Sequence, residues 1–155
     1  MADACTIFGR LDLRAEILDL LRPTATLGLD VTGAPDAWQR LVAHTANGQL
    51  RLSAMIAAQP GDQFSRTIFG ARTFFYDVRT SAARNKAFIL TSLSQTRIVI
   101  GVVGEPSFSE EDGHFDAIFD IAEAVQGLIF NGSGMLDDSG AMLLASDGSF
   151  EEAVV

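Results

Sequence analysis

The sequence predicts an α/β fold in a single domain: a mixed sheet with parallel βαβ crossovers and a C-terminal antiparallel hairpin, with helices packed on it. Three observations lead there. Residues 97–103 (RIVIGVV) are short, β-branched and continuously apolar, the pattern of a central strand covered on both faces. Phe64, Ile68, Ala71, Phe75 and Val78 step by four, three, four and three, which is one face of a helix. The segments also alternate as strand, helices, strand, helix, strand, an order that right-handed crossovers between parallel strands produce.

Each element has a local reason. Residues 11–21 place apolar side chains at helical spacing, and Pro23 stops that helix. Residues 25–31 alternate weakly as a strand, broken by Gly33 and Pro35. Residues 36–44 read as a short helix with Trp38, Leu41 and Val42 on one side. Asn47-Gly48 signals a turn before a strand over 50–58. Pro60-Gly61-Asp62 opens the helix over 64–78, and a second helical stretch covers 81–93. Gly104-Glu105-Pro106 ends the central strand. Ser109 is a suitable N-cap, with Glu110 and Glu111 in the first turn of a helix that Gly127 closes. A short strand over 128–130, a turn at 131–134 and a strand over 141–144 complete the chain, while residues 1–10 and 146–155 read as loosely held ends.

The chain has 155 residues, enough to bury roughly two thirds of its unfolded surface in one core. Hydrophobic residues make up 48% and charged residues 20%, a globular composition. The mean hydropathy of +0.23 is high for a small domain and predicts that some apolar surface is covered by self-association, as a homodimer. A net charge of −9 disfavours nucleic acid and anionic membrane surfaces as partners. Arg66, Arg72, Arg79 and Arg84 fall close together but are interleaved with other types, and read as solvated helix positions. The single cysteine, Cys5, allows neither an intrachain disulfide nor a thiolate zinc site, and reads as an unreactive thiol in an edge segment. Residues 1–10 lack the charged and apolar regions of a secretory signal, and the longest apolar run, 98–104, is far too short for a membrane span. A cytoplasmic location is the expectation.

In open parallel sheets, ligands sit beyond the carboxyl ends of the strands. Three loops would share that edge, and they carry Gln59, Asp62, Glu105, Ser107, Ser109, Asn131 and Ser133. Gln59, Ser107, Ser109, Asn131 and Ser133 are the candidate ligand-binding residues; the same types also serve as ordinary caps and turns. His114 falls at the border of the apolar face of its helix and leans toward that edge. There it could act as a general base with Glu105 or Asp62, or be a packed histidine. Asp112, Asp116, Asp120 and Glu123 form a solvated acidic stripe; the spacing matches no metal loop, and no metal is expected. Neither a phosphate-binding glycine loop, a dinucleotide fingerprint nor a nucleophile elbow is present, so no cofactor is predicted.

Phe69, Phe74 and Tyr76 extend the apolar character of the helix over 64–78 to more than one side, which suits a helix buried on several faces, and they are otherwise the candidates for an interface or an apolar ligand pocket. The function expected from these features is a non-enzymatic module that binds a protein or a small ligand. The alternative is a small hydrolase or transferase built on His114 with Glu105 or Asp62.

Overall fold

A computed structural model describes residues 2–154. One eight-stranded sheet runs through the molecule. In chain order the elements are β1 (Asp3–Gly9), α1 (Arg14–Leu21), β2 (Leu29–Thr32), β3 (Arg40–Thr45), β4 (Gly48–Ile56), α2 (Gln63–Asp77), α3 (Ala83–Ser94), β5 (Ile98–Glu105), α4 (His114–Ala124), β6 (Leu128–Phe130), β7 (Gly134–Leu136) and β8 (Met142–Ala145). The strand order is β2-β3-β4-β5-β1-β6-β7-β8, and every neighbouring pair is antiparallel.

This corrects the parallel crossovers expected from the sequence. The segment β5-α4-β6 does bring two strands back in the same direction. However, β1 inserts between them, with Ile7 opposite both Ile100 and Ile129. The unit is therefore a split crossover, and each of its contacts is antiparallel. The other crossover expected, between the strands at 50–58 and 97–103, is instead the adjacent antiparallel pair β4–β5, linked by the α2–α3 hairpin, with Leu52 opposite Val102.

The sheet is covered unequally. On one face α1 and α4 pack over Ile7, Leu41, Leu50, Leu52, Ile98, Ile100, Val102 and Ile129. On the other face α2 and α3 pack over Phe8, Val99, Leu128, Met135, Leu143 and Leu144, which belong to the β5–β8 half. Ile98, Val99 and Ile100 are all fully buried because β5 has helices on both sides. The first part of β4 is covered on one face only, with Leu50 and Leu52 pointing into the core while Arg51 and Ser53 are exposed; toward its end Met55 packs against the α2–α3 cluster.

The N-terminal stretch expected to be loose forms β1 in the middle of the sheet, and Cys5 is buried in it rather than lying at an edge. The C-terminal stretch is tied down as well. Asn85, buried on α3, donates to the carbonyls of Leu143 and Glu152 at 2.7 and 2.6 Å and accepts from the Val154 N–H at 2.7 Å. Met1 and Val155, at the extremes of those two stretches, lie outside the described residues.

The helix expected over 36–44 is also corrected: residues 36–39 lie in the loop before β3 and 40–44 in the strand itself. Leu41, Ala43 and Thr45 alternate inward along β3, and Trp38 anchors the loop before it. The end of α4 differs in detail. Gln126 takes the left-handed conformation at φ 53°, and the Gly127 N–H bonds to the Ala122 carbonyl at 2.8 Å. Gly127 is required for a separate reason, since a Cβ there would lie 2.7 Å from the Phe8 carbonyl oxygen. Replacing Gln126 by glycine is expected to raise stability by about 0.5–1 kcal/mol, because the left-handed backbone then carries no Cβ penalty. A denaturant midpoint that rises with an unchanged slope is the check.

Candidate interaction surface

The residues expected to form a sheet-edge site divide between the two ends of the sheet. Gln49 pairs with Glu105 and Ile56 with Ile98, so the exit of β4 lies at the end opposite the exit of β5. Gln59 and Asp62 follow β4, whereas Glu105, Ser107 and Ser109 follow β5. Asn131 and Ser133, after β6, lie toward the Glu105 end but beyond β1. An antiparallel sheet sends alternate loops to opposite ends, which is why the parallel-sheet argument fails.

Asp62, Glu105, Asn131 and Ser109 each have a local partner. Asp62 caps α2, accepting from the backbone N–H groups of Ala58, Ser65 and Gln59, and these hold its carboxyl well below the usual carboxylate range. Glu105 pairs with Arg51 at 2.5 Å on the surface. The Asn131 side chain accepts from the Ser133 and Gly134 N–H groups and closes the β6–β7 turn. Ser109 caps the turn before α4 rather than the helix, accepting from the Asp112 N–H at 3.2 Å. Gln59 and Ser107 are exposed loop positions.

His114 is fully buried and both ring nitrogens are engaged. Nδ1 accepts from the Ser109 N–H at 2.9 Å, so it carries no proton. Nε2 is therefore the protonated nitrogen and donates to Thr45 Oγ at 3.1 Å, while Thr45 donates to the Gly48 carbonyl at 3.0 Å. Asp112 closes the same junction by accepting from the Asn47 N–H and side-chain amide at 2.8 and 2.7 Å. Burial lowers the His114 pKa, partly opposed by the nearby Asp112 carboxylate. The ring pins the β3–β4 turn to the loop before α4. It does not meet Asp62, and Glu105 is engaged with Arg51; the carboxylate beside its ring is Asp112, 3.9 Å from Nε2.

Two surfaces are left with unused chemistry. The first is the open half of the sheet, which sequence reasoning missed. A trough of about 480 Å³ runs over β2–β5, lined by Asp30, Thr32, Arg40, Arg51, Ser53 and Gly101. Its signal was the alternation Arg51, Ser53 against Leu50, Leu52, which marks the first part of β4 as covered on one face.

The second surface is the outward side of the α2–α3 hairpin. Phe64 and Phe75 face the sheet, and Phe74 packs edge-on against Phe75 and Phe130 with ring centroids 4.9 and 5.5 Å apart. Phe69 and Tyr76, one heptad apart on α2, are 73% and 70% exposed. They flank a shallow depression shared with Arg72, Thr73 and Leu90. Lys86 holds the end of α2 by donating to the Tyr76 and Val78 carbonyls, and its ammonium lies 5.5 Å from the centre of the Tyr76 ring. Residues 63–97 hold six of the eleven basic residues and a single carboxylate, Asp77. Residues 98–155 hold twelve carboxylates and no lysine or arginine. Among the described residues none of Arg66, Arg72, Arg79 and Arg84 is in an ion pair. This segregation was legible in the sequence as a charge count by segment, which the chain-wide net charge conceals.

Among the described residues no group of histidine, cysteine and carboxylate side chains is arranged to hold a metal ion. No helix there is long and apolar enough to cross a membrane. Cys5 is buried against the core and its thiol pKa is pushed up to about 12, which leaves it protonated and unreactive. Comparison with protein-family models, with curated proteins and with solved structures returned no match.

Proposed function

We propose that the chain is a non-enzymatic protein-interaction module whose docking surface is the outward face of the α2–α3 hairpin, and that its partner presents an acidic, partly apolar surface. The observation that carries this is the exposure of Phe69 and Tyr76 beside arginines without carboxylate partners. A large apolar side chain left in water forgoes about 1.5–3 kcal/mol of burial, and two such residues on one helical stripe form a patch rather than scattered exposure. Aromatic and arginine side chains are also the types that concentrate binding energy in protein interfaces. The positive hairpin selects a negative partner in spite of the chain's overall charge, because the field at contact distance is that of the nearest residues.

A labelled amphipathic helical peptide, with glutamates flanking phenylalanines spaced four apart, serves as the probe. Fluorescence anisotropy is expected to show saturable binding to the protein. The variant Phe69→Ser/Tyr76→Ser is expected to bind roughly thirtyfold more weakly, the loss of about 2 kcal/mol that truncating interface anchors produces. Equal binding by the variant, or no saturable binding by the native protein, contradicts the proposal.

A further inference from the structure

We infer that the partner seated on the α2–α3 face is the α4 face of a second copy of this chain, so that copies join head to tail. The inference rests on the reading of α2–α3 as a docking surface and names its occupant.

The argument is charge complementarity between two faces of one molecule. α4 buries Ala117, Ile118, Ile121 and Ala122 against the sheet and turns Asp116, Asp120 and Glu123 to solvent. Phe115, 40% exposed, adds an aromatic edge to that acidic face and packs against Phe108 at 5.6 Å. Among the described residues none of these three carboxylates is in an ion pair. The unpaired arginines of α2–α3 and the unpaired carboxylates of α4 therefore answer one another in sign, and each group borders exposed aromatic surface. The stripes are comparable in length. Arg66 to Tyr76 spans about 15 Å of helix, and Asp116 to Glu123 about 10 Å.

The same charges argue against a symmetric dimer. Pairing α2–α3 with its own copy sets arginine against arginine, and pairing α4 with α4 sets carboxylate against carboxylate. The two faces also lie on opposite sides of the sheet, since α4 belongs to one core cluster and α2–α3 to the other. A contact between unlike faces leaves one of each free on every pair, so assembly continues into a ring or an open chain. Because opposite charges drive it, it weakens as salt is raised.

Sedimentation velocity on the native protein and two surface variants, Phe69→Ser/Arg72→Glu and Asp116→Lys/Asp120→Lys, tests this. Unchanged far-UV circular dichroism shows that the variants are folded. The native protein is expected to pass beyond a dimer as concentration rises, and to fall back toward the monomer in high salt. Each variant alone is expected to be monomeric. Mixed in equal amounts they are expected to form a complex that stops at two chains, because the first retains only its α4 face and the second only its α2–α3 face. A native protein that stays monomeric overturns the inference, and so does a mixture that remains two monomers. If Asp116→Lys/Asp120→Lys associates like the native protein while Phe69→Ser/Arg72→Glu does not, head-to-tail pairing fails but the docking surface stands. If Phe69→Ser/Arg72→Glu associates like the native protein, both fail.

Discussion

Replacing Trp38 by alanine is expected to destabilise the protein by about 3–5 kcal/mol, the range for removing a fully buried aromatic side chain. Trp38 has no exposed surface and sits in the larger of the two core clusters. Its indole N–H donates to the Arg14 carbonyl at 2.8 Å, and the Arg14 guanidinium returns a bond to the Trp38 carbonyl at 3.1 Å. Arg14 is held in turn by both Asp12 carboxylate oxygens, at 2.9 and 3.0 Å. The exchange fastens the loop before β3 to the first turn of α1. Alanine therefore removes packing and also removes the indole donor that the Arg14 carbonyl accepts from in addition to the helix's own N–H. Trp38→Phe keeps most of the volume and loses the hydrogen bond, so a smaller loss of about 1–3 kcal/mol is expected. Trp38 is the only tryptophan, so urea unfolding followed by circular dichroism is the suitable comparison. Equal stability of Trp38→Ala and the native protein would remove the clasp from the description of the fold.

The second large effect is a loss of stability on mild acidification. His114 is neutral in the fold, and protonating Nδ1 would oppose it to the Ser109 N–H that it now accepts from. Its pKa is lowered from the ordinary 6.5, so the unfolded chain binds a proton more readily than the folded one. The histidine's contribution is then complete above pH 6.5 and declines as pH falls below it, by at most about 1.4 kcal/mol per pH unit. The depressed carboxylates Asp62, Asp112 and Asp147 lose their contribution only at lower pH, as it falls from the ordinary carboxylate value of 3.8 toward their depressed ones. Unfolding measured from pH 7.5 to 5.5 therefore excludes those carboxylates, and comparison with a His114 variant separates His114 from His44, the other histidine, which pairs with Asp30 at 2.8 Å. His114→Gln is expected to flatten this slope, and His114→Ala to cost about 2–4 kcal/mol at neutral pH by stripping partners from Thr45 and the Ser109 amide. An unchanged slope in His114→Gln would assign the titration to another group.

The helical stripe Phe64 to Val78 and the apolar run at 97–103 were legible because one period accounts for each; they became α2 and β5. Residues 36–44 were not, since Trp38, Leu41 and Val42 suit a helix while Leu41, Ala43 and Thr45 suit a strand equally well. In so short a segment only the pairing with β2 and β4 decides. The antiparallel sheet was illegible for a different reason. Whether a crossover pairs its two strands directly or admits a third between them depends on where β1 inserts, and a seven-residue strand at the start of the chain records nothing of its neighbours. That error carried into the site. Asp62 and Glu105 were placed on one edge because parallel strands would put them there. The position of His114 at the border of the apolar face of α4 was readable from helical spacing, whereas its burial came from the β3–β4 turn closing over it. Phe69 and Tyr76 were legible only as an alternative, because a helix apolar on more than one side is either buried on several faces or lies in an interface, and their exposure came from the packing of α2 on the sheet through Phe64 and Phe75.

Hydroxyl-radical labelling of Phe69 and Tyr76, with and without the acidic helical peptide at saturation, tests the docking surface most directly. Phe150, 40% exposed and outside the hairpin, serves as the internal reference. If α2–α3 is the docking surface, oxidation of Phe69 and Tyr76 falls severalfold on binding while Phe150 is unchanged. If Phe69 and Tyr76 remain as reactive in the bound protein as in the free one, the hairpin is not where partners dock.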